Sequence, residues 1–240
     1  KSSIDILKKY IHGKDYNRAI YALSILEKYN KNLFINEISA ALSHSSIFVR
    51  KYALIKIEHF KIKIDSNKVK KLILTDEDAI NPIGLIVLAS LNINENIEFI
   101  TPYLQNNNLH LKSGAIVALM KYANAHYYKL AKQYLITMID RNDSEEKIMA
   151  AKSIELIKKK NLSTLLLKLM QDNTADVKKQ AYLSAGELKS EKIFLAIADE
   201  FNSGSISTMH YHCLSLYGKK IIPLIEKNFS RSSYETQYHF

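Results

Sequence analysis

The sequence repeats itself at a spacing near 31 residues, and the repeated feature is one apolar face of a helix. Residues 49–54 (VRKYAL) and 177–182 (VKKQAY) each begin with a valine that is followed four positions later by alanine. Apolar residues stand five, eight and eleven positions after each valine, which is the spacing of one side of an α-helix. The same template fits seven times, anchored at Arg18, Val49, Ile80, Leu111, Glu146, Val177 and Ile206. The steps between anchors are 31, 31, 31, 35, 31 and 29 residues, so the chain is predicted to be a stack of similar helical units.

Three columns of the template keep their character through the chain. Four positions after the anchor stand Ala22, Ala53, Gly84, Ala115, Ala150 and Ala181, with His210 as the exception. Eight positions after it stand Leu26, Ile57, Leu88, Leu119, Ile154, Ala185 and Leu214. Eleven positions after it stand Tyr29, Phe60, Leu91, Tyr122, Ile157, Leu188 and Tyr217. The small column lets two helices approach closely, and the large columns are expected to fill the space between units.

A second helix is predicted before each anchor, so that each unit is a hairpin. Eleven positions before the anchor stand Leu7, Ile38, Val69, Ile100, Leu135, Leu166 and Leu195. Seven positions before it stand Ile11, Leu42, Ile73, Leu104, Ile139 and Met170, and only Asp199 departs. Short polar turns separate the two helices at 43–45, 75–77, 106–108, 141–143, 172–174 and 202–204. Their Ser, Asp and Asn residues are expected to cap the helices that follow.

The pattern resembles HEAT repeats, in the short variety found in phycobilisome-lyase-like proteins. Residues 49–54, residues 177–182 and the turn at 172–174 carry the resemblance, which covers residues 4–229. It implies a right-handed α-solenoid of about seven hairpins, forming a single domain over 1–229 with the second helices on its concave side. A tail at 230–240 follows, in which Tyr234, Tyr238 and Phe240 are the apolar residues that could cover the end of the stack.

Positive charge is concentrated in the N-terminal third of the chain. The net charge is +10, and residues 1–75 alone hold 15 Lys and Arg against 6 Asp and Glu. An uneven field of this kind steers an acidic partner towards one end, although a coding bias towards lysine explains the composition equally well. One position after the anchor, four of the seven residues are basic, namely Arg50, Lys112, Lys147 and Lys178. They are interpreted either as a ladder that bonds to neighbouring turns or as a row of cations for phosphates or carboxylates.

The second helices of the third and fourth hairpins are apolar on nearly every side. Core packing explains this pattern, and the alternative is an exposed apolar patch at Ile86, Val87 and Val117 that would bind a partner. The candidate partner-binding residues are therefore Arg18, Arg50, Lys51, Lys56, Ile86, Val87, Lys112, Val117, Lys147 and Lys178.

No arrangement of residues in the sequence indicates a catalytic, metal or cofactor site. Nucleophile and phosphate-binding motifs are missing, and the chain is expected not to be an enzyme. Residues 210–213 (HYHC) would need further ligands on the same face to bind zinc. The acidic run at 76–78 is interpreted as a helix cap. The single cysteine, Cys213, excludes an internal disulfide and suits a reducing compartment.

The expected function is a scaffold or interaction module that binds another macromolecule, with a protein as the expected partner. The longest apolar run, 83–91, is too short to cross a bilayer, so no membrane insertion of this segment is expected. A cytoplasmic location is therefore expected for this part of the chain. Because the sequence begins with Lys1, the chain is also expected to be a piece of a larger polypeptide, which could be anchored in a membrane.

Two alternatives concern other functions known among HEAT-like proteins. The first is nucleic-acid binding through a basic concave surface, as in HEAT-like alkylpurine DNA glycosylases. The chain has no tryptophan, and no acidic residue is placed to hold a flipped nucleotide. The second is a chromophore lyase, which rests on the repeat resemblance alone. The sequence indicates neither the partner nor the oligomeric state.

Overall fold

A computed structural model describes residues 3–75, 80–204, 207–229 and 237, and this part of the chain is helical with no strand. The predicted all-α fold of helical hairpins is confirmed. The first seven helices are α1 Ser3–Ile11, α2 Tyr16–Tyr29, α3 Lys31–Ala41, α4 Ile47–Phe60, α5 Ser66–Thr75, α6 Asn81–Ile100 and α7 Leu109–Tyr122. The next seven are α8 Ala125–Asp140, α9 Ser144–Ile157, α10 Ser163–Met170, α11 Ala175–Leu188, α12 Glu191–Asn202, α13 Thr208–Ser215 and α14 Ile222–Phe229. Short 3-10 segments lie at Thr101–Gln105, Lys160–Leu162 and Gly218–Ile221.

The chain divides into two compact units, residues 1–131 and 132–240, with the boundary inside α8. They are called here the N-terminal unit and the C-terminal unit, and each is described by itself. The expectation that 1–229 is a single domain stays a prediction.

Second helices pack on one another in sequence order within each unit. In the N-terminal unit, α2 packs on α4, α4 on α6 and α6 on α7; in the C-terminal unit, α9 packs on α11 and α11 on α13. The described members of the small column are all buried, and at Gly84 this column faces α5, the first helix of the same hairpin. The column eight positions after the anchor is buried throughout as well. These columns of the sequence were therefore interpreted correctly.

A glycine sets the close approach between α6 and α7. A Cβ atom placed on Gly114 would lie 2.5 Å from Cα of Pro82 and 2.8 Å from its carbonyl oxygen. Any larger residue at 114 would push the two backbones apart. This contact brings the third and fourth hairpins together and buries their second helices more deeply than α2 and α4.

Helix α6 joins two hairpins without a loop. Its backbone is extended at Asn92 (φ −160°, ψ 102°), so the second helix of the third hairpin bends there into the first helix of the fourth. Asn96 is fully buried at the bend, and its Nδ2 donates to the carbonyl oxygens of Leu88 (3.2 Å) and Asn92 (2.8 Å). These bonds satisfy two carbonyls that the bend exposes. The sequence analysis did not predict this continuous junction.

The stretch Asn81–Gln105, which is α6 with the 3-10 segment after it, is long and apolar enough to cross a membrane by length and composition. The described residues contain one such stretch. It is kinked, and the six residues from 84 to 89 are buried against the rest of the protein. The core helix of a water-soluble fold has the same properties. The cytoplasmic location stays a prediction.

The last hairpin departs from the template by one residue. Leu195 is 39% exposed and Asp199 is exposed, whereas Phe194 and Ala198 are buried. The prediction that Leu195 belongs to the core is therefore wrong. The buried face of α12 is shifted one position towards the N-terminus, which accounts for the acidic residue at 199.

The column eleven positions after the anchor is only partly buried. Ile157, Leu188 and Tyr217 are buried as predicted. In the N-terminal unit the prediction is wrong for Tyr29, which is 74% exposed, and Phe60, Leu91 and Tyr122 are half-buried. This position falls in the last turn of the second helix, where the side chain leaves the packed face.

Two polar turns cap helices as expected. Asn108 accepts hydrogen bonds from the backbone N–H groups of His110 and Leu111, and Asp143 accepts from those of Glu145 and Glu146. At the turn 172–174, by contrast, Thr174 makes no side-chain cap. The acidic run at 76–78, the anchor Ile206, and the tail residues Tyr234, Tyr238 and Phe240 lie outside the described residues.

Candidate functional site

The apolar patch proposed for the middle of the chain is not exposed. Ile86 is 7% exposed, and Val87 and Val117 are fully buried. The interpretation of these residues as a partner site is therefore wrong, and core packing is correct. The physical reason is the close approach of α6 and α7 at Gly114, which leaves no room for solvent or a partner at these positions.

Two members of the basic column hold polypeptide turns in place. Nζ of Lys147 lies 2.6 Å from Oδ2 of Asp172, in the turn of the following hairpin, and both side chains are mostly buried. Nη1 of Arg50 donates to the carbonyl oxygens of His44 (2.7 Å) and Ser45 (3.0 Å), in the turn that precedes its own helix. The ladder interpretation, in which a cation bonds to the turn of a neighbouring repeat, describes Lys147, whereas these bonds of Arg50 stay within its own hairpin. Lys112 and Lys178 are half-buried, and their role in binding stays a prediction.

Lys56 is part of a polar bridge between the first two hairpins. Its Nζ lies 2.7 Å from Oε1 and 2.6 Å from Oε2 of Glu27, and the hydroxyl of Tyr52 donates to the same carboxylate at 3.1 Å. Burial and the neighbouring Glu27 charge raise the pKa of Tyr52 well above its usual value. The phenol therefore stays protonated, and the Lys56 ammonium group is paired with Glu27 of the same protein.

A second bridge spans a longer distance, from the second hairpin to the fourth. Nζ of Lys121 lies 2.6 Å from Oε1 of Glu58, and the Tyr122 hydroxyl bonds to the same oxygen. Nζ of Lys61 in turn donates to the Tyr122 hydroxyl at 3.0 Å. Burial raises the pKa of Glu58, but the bonds from Lys121 and Tyr122 outweigh it, and the net shift is downward. The Glu58 carboxylate is therefore ionised and paired with Lys121.

The exposed face of α2 and α4 combines large apolar side chains with lysines. Tyr21 is 68% exposed, Phe48 56% and Ile55 46%, and Lys28 and Lys51 are exposed beside them. We call these five residues the α2–α4 surface. The two helices are second helices of neighbouring hairpins and pack on each other. Phe48, Lys51 and Ile55 are three and four residues apart, so they lie on one side of α4, and Tyr21 and Lys28, seven residues apart, lie on one side of α2.

An aromatic pair extends this surface at the start of both helices. The rings of Tyr16 and Phe48 lie 4.8 Å apart between centroids, and both residues are exposed. Arg18, a candidate binding residue, is exposed near this end, beside Asp15 (Nε to Oδ2 3.3 Å) and the Tyr10 ring. Lys51, another candidate, belongs to the surface itself. Whether either residue binds a partner stays a prediction.

The sequence analysis named Lys51 but missed the apolar members of the α2–α4 surface. A usable signal was present: Phe48 stands one position before its anchor and Ile55 six positions after it, where the template requires no apolar residue. The Ile55 position is polar at Ser24 and Lys152 but apolar at Ile86, Val117 and Leu183, of which Ile86 and Val117 are buried. Phe48 is therefore the clearer signal, because no other hairpin has a large apolar side chain one position before its anchor.

The C-terminal unit holds a compact polar cluster around His210. Its Nδ1 accepts the Ser207 backbone N–H at 2.9 Å, and its Nε2 contacts Glu200 and the Tyr182 hydroxyl. His210 therefore occupies the small column because it ties α11, α12 and α13 together and caps α13. Burial raises the pKa of the nearby Cys213 thiol to about 12, which leaves it a poor nucleophile at neutral pH.

A groove of about 470 Å³ lies beside this cluster, lined by Lys179, Tyr182, Leu183, Thr208, Met209 and His212. Its polar neighbours His210 and Glu200 bond to each other and to Tyr182. Within the described residues, no group of three or more His, Cys, Asp and Glu side chains is placed to hold a metal ion.

Comparison with known proteins gives structural neighbours only. No family model matches the chain, and no curated protein is similar to it in sequence. The structure is similar to that of YibA of Escherichia coli, with 13% identity, a TM-score of 0.47, and coverage of 96% of this chain and 88% of that one. It is also similar to human deoxyhypusine hydroxylase in complex with glycerol, with 11% identity, a TM-score of 0.44, and coverage of 98% and 92%. The described hairpins define a HEAT-like helical repeat fold, and the resemblance to the phycobilisome-lyase-like variety stays a prediction.

One expectation from the sequence requires correction. The chain was expected not to be an enzyme, because the sequence has no catalytic motif and because its repeat architecture is typical of scaffolds. Human deoxyhypusine hydroxylase is named as an enzyme and is among the structures similar to this chain. A helical repeat architecture does not by itself exclude catalysis, since a fold does not determine function. At 11% identity, the likeness also assigns no reaction and no catalytic residue to this chain.

Proposed function

We propose that this protein is a helical repeat module that binds another protein through the α2–α4 surface. The observation that carries the proposal is the exposure of Tyr21, Phe48 and Ile55 on neighbouring second helices. In α6 and α7 the residues at the Ile55 position, Ile86 and Val117, are buried instead. Exposed aromatic and aliphatic side chains that lie close together mark protein interaction sites.

The cations of the second helices favour a protein partner over nucleic acid. A nucleic-acid surface needs several cations directed at phosphates. Lys56 is engaged by Glu27, Lys121 by Glu58, and Arg50 bonds to two backbone carbonyls. The apolar side chains Phe48 and Ile55 gain most by contact with another apolar surface. Of the sequence-based alternatives, protein binding therefore has the stronger support.

A capture experiment tests this proposal. The full chain is immobilised and incubated with an extract of the organism that encodes it, and the retained proteins are quantified by mass spectrometry. The double variant Phe48→Ser/Ile55→Ser removes the apolar part of the surface. The matched control is Leu156→Ser, which changes a 46%-exposed leucine on α9. We expect at least one protein to be retained equally by wild type and control, and about tenfold less by the double variant.

Two outcomes contradict the proposal. One is that no protein is retained above the level of empty beads, or that the double variant retains the same proteins as wild type. The other concerns duplex DNA. Tight, strongly salt-dependent DNA binding that Arg50→Gln/Lys51→Gln/Lys56→Gln weakens, and that Phe48→Ser/Ile55→Ser leaves unchanged, would replace the protein partner by nucleic acid.

A further inference from the structure

We infer that the partner segment recognised by the α2–α4 surface is acidic and amphipathic, with apolar side chains on one side and Asp or Glu residues beside them. This inference rests on the proposed function and adds the chemistry of the partner. The arrangement of the apolar side chains and the pairing of the charged side chains within the protein support it.

The apolar side chains form a stripe rather than isolated points. Phe48, Tyr52 and Ile55 are spaced by four and three residues, so they lie along one side of α4. Phe48 and Ile55 are about 10 Å apart along the helix axis. Tyr16 stacks on Phe48 and lengthens the stripe at the start of the helix. A partner must therefore present apolar groups at two or more points, as an amphipathic segment does.

The charges beside the stripe leave a net positive surface. Three carboxylates lie near the stripe, and each is paired with a cation: Glu27 with Lys56 and Glu58 with Lys121 within 2.7 Å, and Asp15 with Arg18 at 3.3 Å. Glu27 and Glu58 also accept a tyrosine hydroxyl. The downward shift of the Glu58 pKa reflects the same bonds. The negative charges of these carboxylates are therefore neutralised by basic side chains of the same protein. Lys51 is exposed, and Lys28 is exposed with its Nζ 5.1 Å from the Tyr29 ring.

The charge of the surrounding sequence has the same sign. Residues 1–75 carry a balance of +9, from 15 basic and 6 acidic residues. An acidic segment is attracted to this part of the chain over a distance of about 10 Å at ordinary salt. A basic segment would be repelled. Electrostatic complementarity therefore selects a partner with negative charge, and contact with the apolar stripe stabilises the complex.

Three synthetic peptides of about 18 residues, enough for five helical turns, test this chemistry by fluorescence anisotropy with the full chain. The first places leucines on one side of a helix and glutamates on the others. The second has lysine in place of every glutamate, and the third has serine in place of every leucine. We expect only the first to bind, and its affinity to fall as salt is added.

Variants of the protein locate the binding. Phe48→Ser/Ile55→Ser should weaken binding of the acidic peptide about tenfold, and Lys28→Gln/Lys51→Gln should weaken it less and flatten its salt dependence. Leu156→Ser and Lys152→Gln change exposed residues of α9 and serve as matched controls, for which the affinity should stay at the wild-type value. Far-UV circular dichroism of each variant should match wild type, because all of these side chains are exposed.

The outcomes separate this inference from the proposed function. Equal binding of the basic peptide overturns it, as does binding of the acidic peptide that is the same in surface and control variants. Failure of the acidic peptide to bind also overturns it. If protein capture nevertheless depends on Phe48 and Ile55, the proposed function stands and only the acidic chemistry is wrong. If capture is absent as well, both are wrong.

Discussion

At the scale of single residues, the ion pair between Lys147 and Asp172 links stability to pH. Burial raises the pKa of Asp172, but the bonds from Lys147 and from the Thr174 backbone N–H outweigh it, so the net shift is downward. A carboxyl group with a lowered folded-state pKa stabilises the protein above its unfolded value, near 3.9, and this contribution is lost as pH falls through the folded value. The pair therefore contributes at neutral pH and not in strong acid.

Replacing Asp172 by Asn tests this linkage. We expect Asp172→Asn to lower the free energy of unfolding by about 1–3 kcal/mol at pH 7, because the mostly buried Lys147 ammonium loses its charged partner. The difference from wild type should shrink as pH falls below about 4. Denaturant titrations at several pH values measure it. Asp140→Asn is the control, since the Lys168–Asp140 pair is more than half exposed on both sides and should contribute little. A pH-independent difference would contradict the account.

Two glycines of the N-terminal unit differ in what surrounds them. A Cβ on Gly114 meets the backbone of Pro82 at 2.5 Å, whereas a Cβ on Gly84 meets the side chain of Ile73 at 2.6 Å. The side chain can change rotamer, but the backbone can only move with its helix. We expect Gly114→Ala to destabilise by about 1–3 kcal/mol and Gly84→Ala by less, since alanine also favours the helix. Thermal melts of both variants measure these changes in stability, and equal losses of stability would contradict a rigid backbone contact at Gly114.

Residue identities predicted the core better than they predicted the surface. The small column was interpreted correctly because a close helix contact tolerates only small side chains, and this constraint is visible in sequence. His210 was recorded as an exception, and only the structure supplies its reason, since Tyr182 and Glu200 come from other helices. The exposure of Phe48 and Ile55 was missed because neither residue stands in a column of the template, and only those columns were assigned to the core.

At the scale of helices, the packing of α6 and α7 should dominate the stability of the N-terminal unit. Leu88 and Leu119 are fully buried on these helices. We expect Leu88→Ala and Leu119→Ala each to cost about 2–5 kcal/mol, because a cavity remains between closely packed backbones. Leu74→Ala is the control, since Leu74 lies on α5 and is 69% exposed. Chemical denaturation measures all three, and a small loss at Leu88 or Leu119 would show that α6 and α7 can collapse into the space.

The periodic pattern predicted the existence of the helices well and their junctions poorly. Periodicity reports which side of a helix is buried, and it does so for most hairpins. It does not report how one helix connects to the next. The bend of α6 at Asn92 leaves no mark on that period, and the one-residue shift of the buried face of α12 appears in it only as the exception at Asp199. For the same reason, Ile86, Val87 and Val117 could not be assigned to core or surface from sequence alone.

At the scale of the whole molecule, the predicted single domain has a thermodynamic test. The boundary between the two compact units falls inside α8, at residues 131 and 132. Stacked repeats share stability with their neighbours, so we expect the chain to unfold as one cooperative system. Leu54→Ala, at a fully buried position of α4, should then reduce amide protection in α4 and in α11 by the same amount.

Hydrogen exchange followed by mass spectrometry measures this protection helix by helix, with Leu74→Ala as the control. Reduced protection in α4 alone, with α11 unchanged, would show that residues 1–131 and 132–240 unfold separately. The prediction of a single domain over 1–229 would then be wrong.

The bend in α6 also limits where residues can be inserted into the chain during evolution. Between the second and third hairpins, residues 62–65 form a connection that belongs to no helix, and one added residue there lengthens a loop, at a small cost in free energy. Within 89–96, one added residue would rotate everything after it by about 100° around the helix axis. It would also take Asn96 away from the two carbonyls it satisfies. In descendants of this sequence, insertions should therefore accumulate at 62–65 and be purged at 89–96, and the third and fourth hairpins should be gained or lost together.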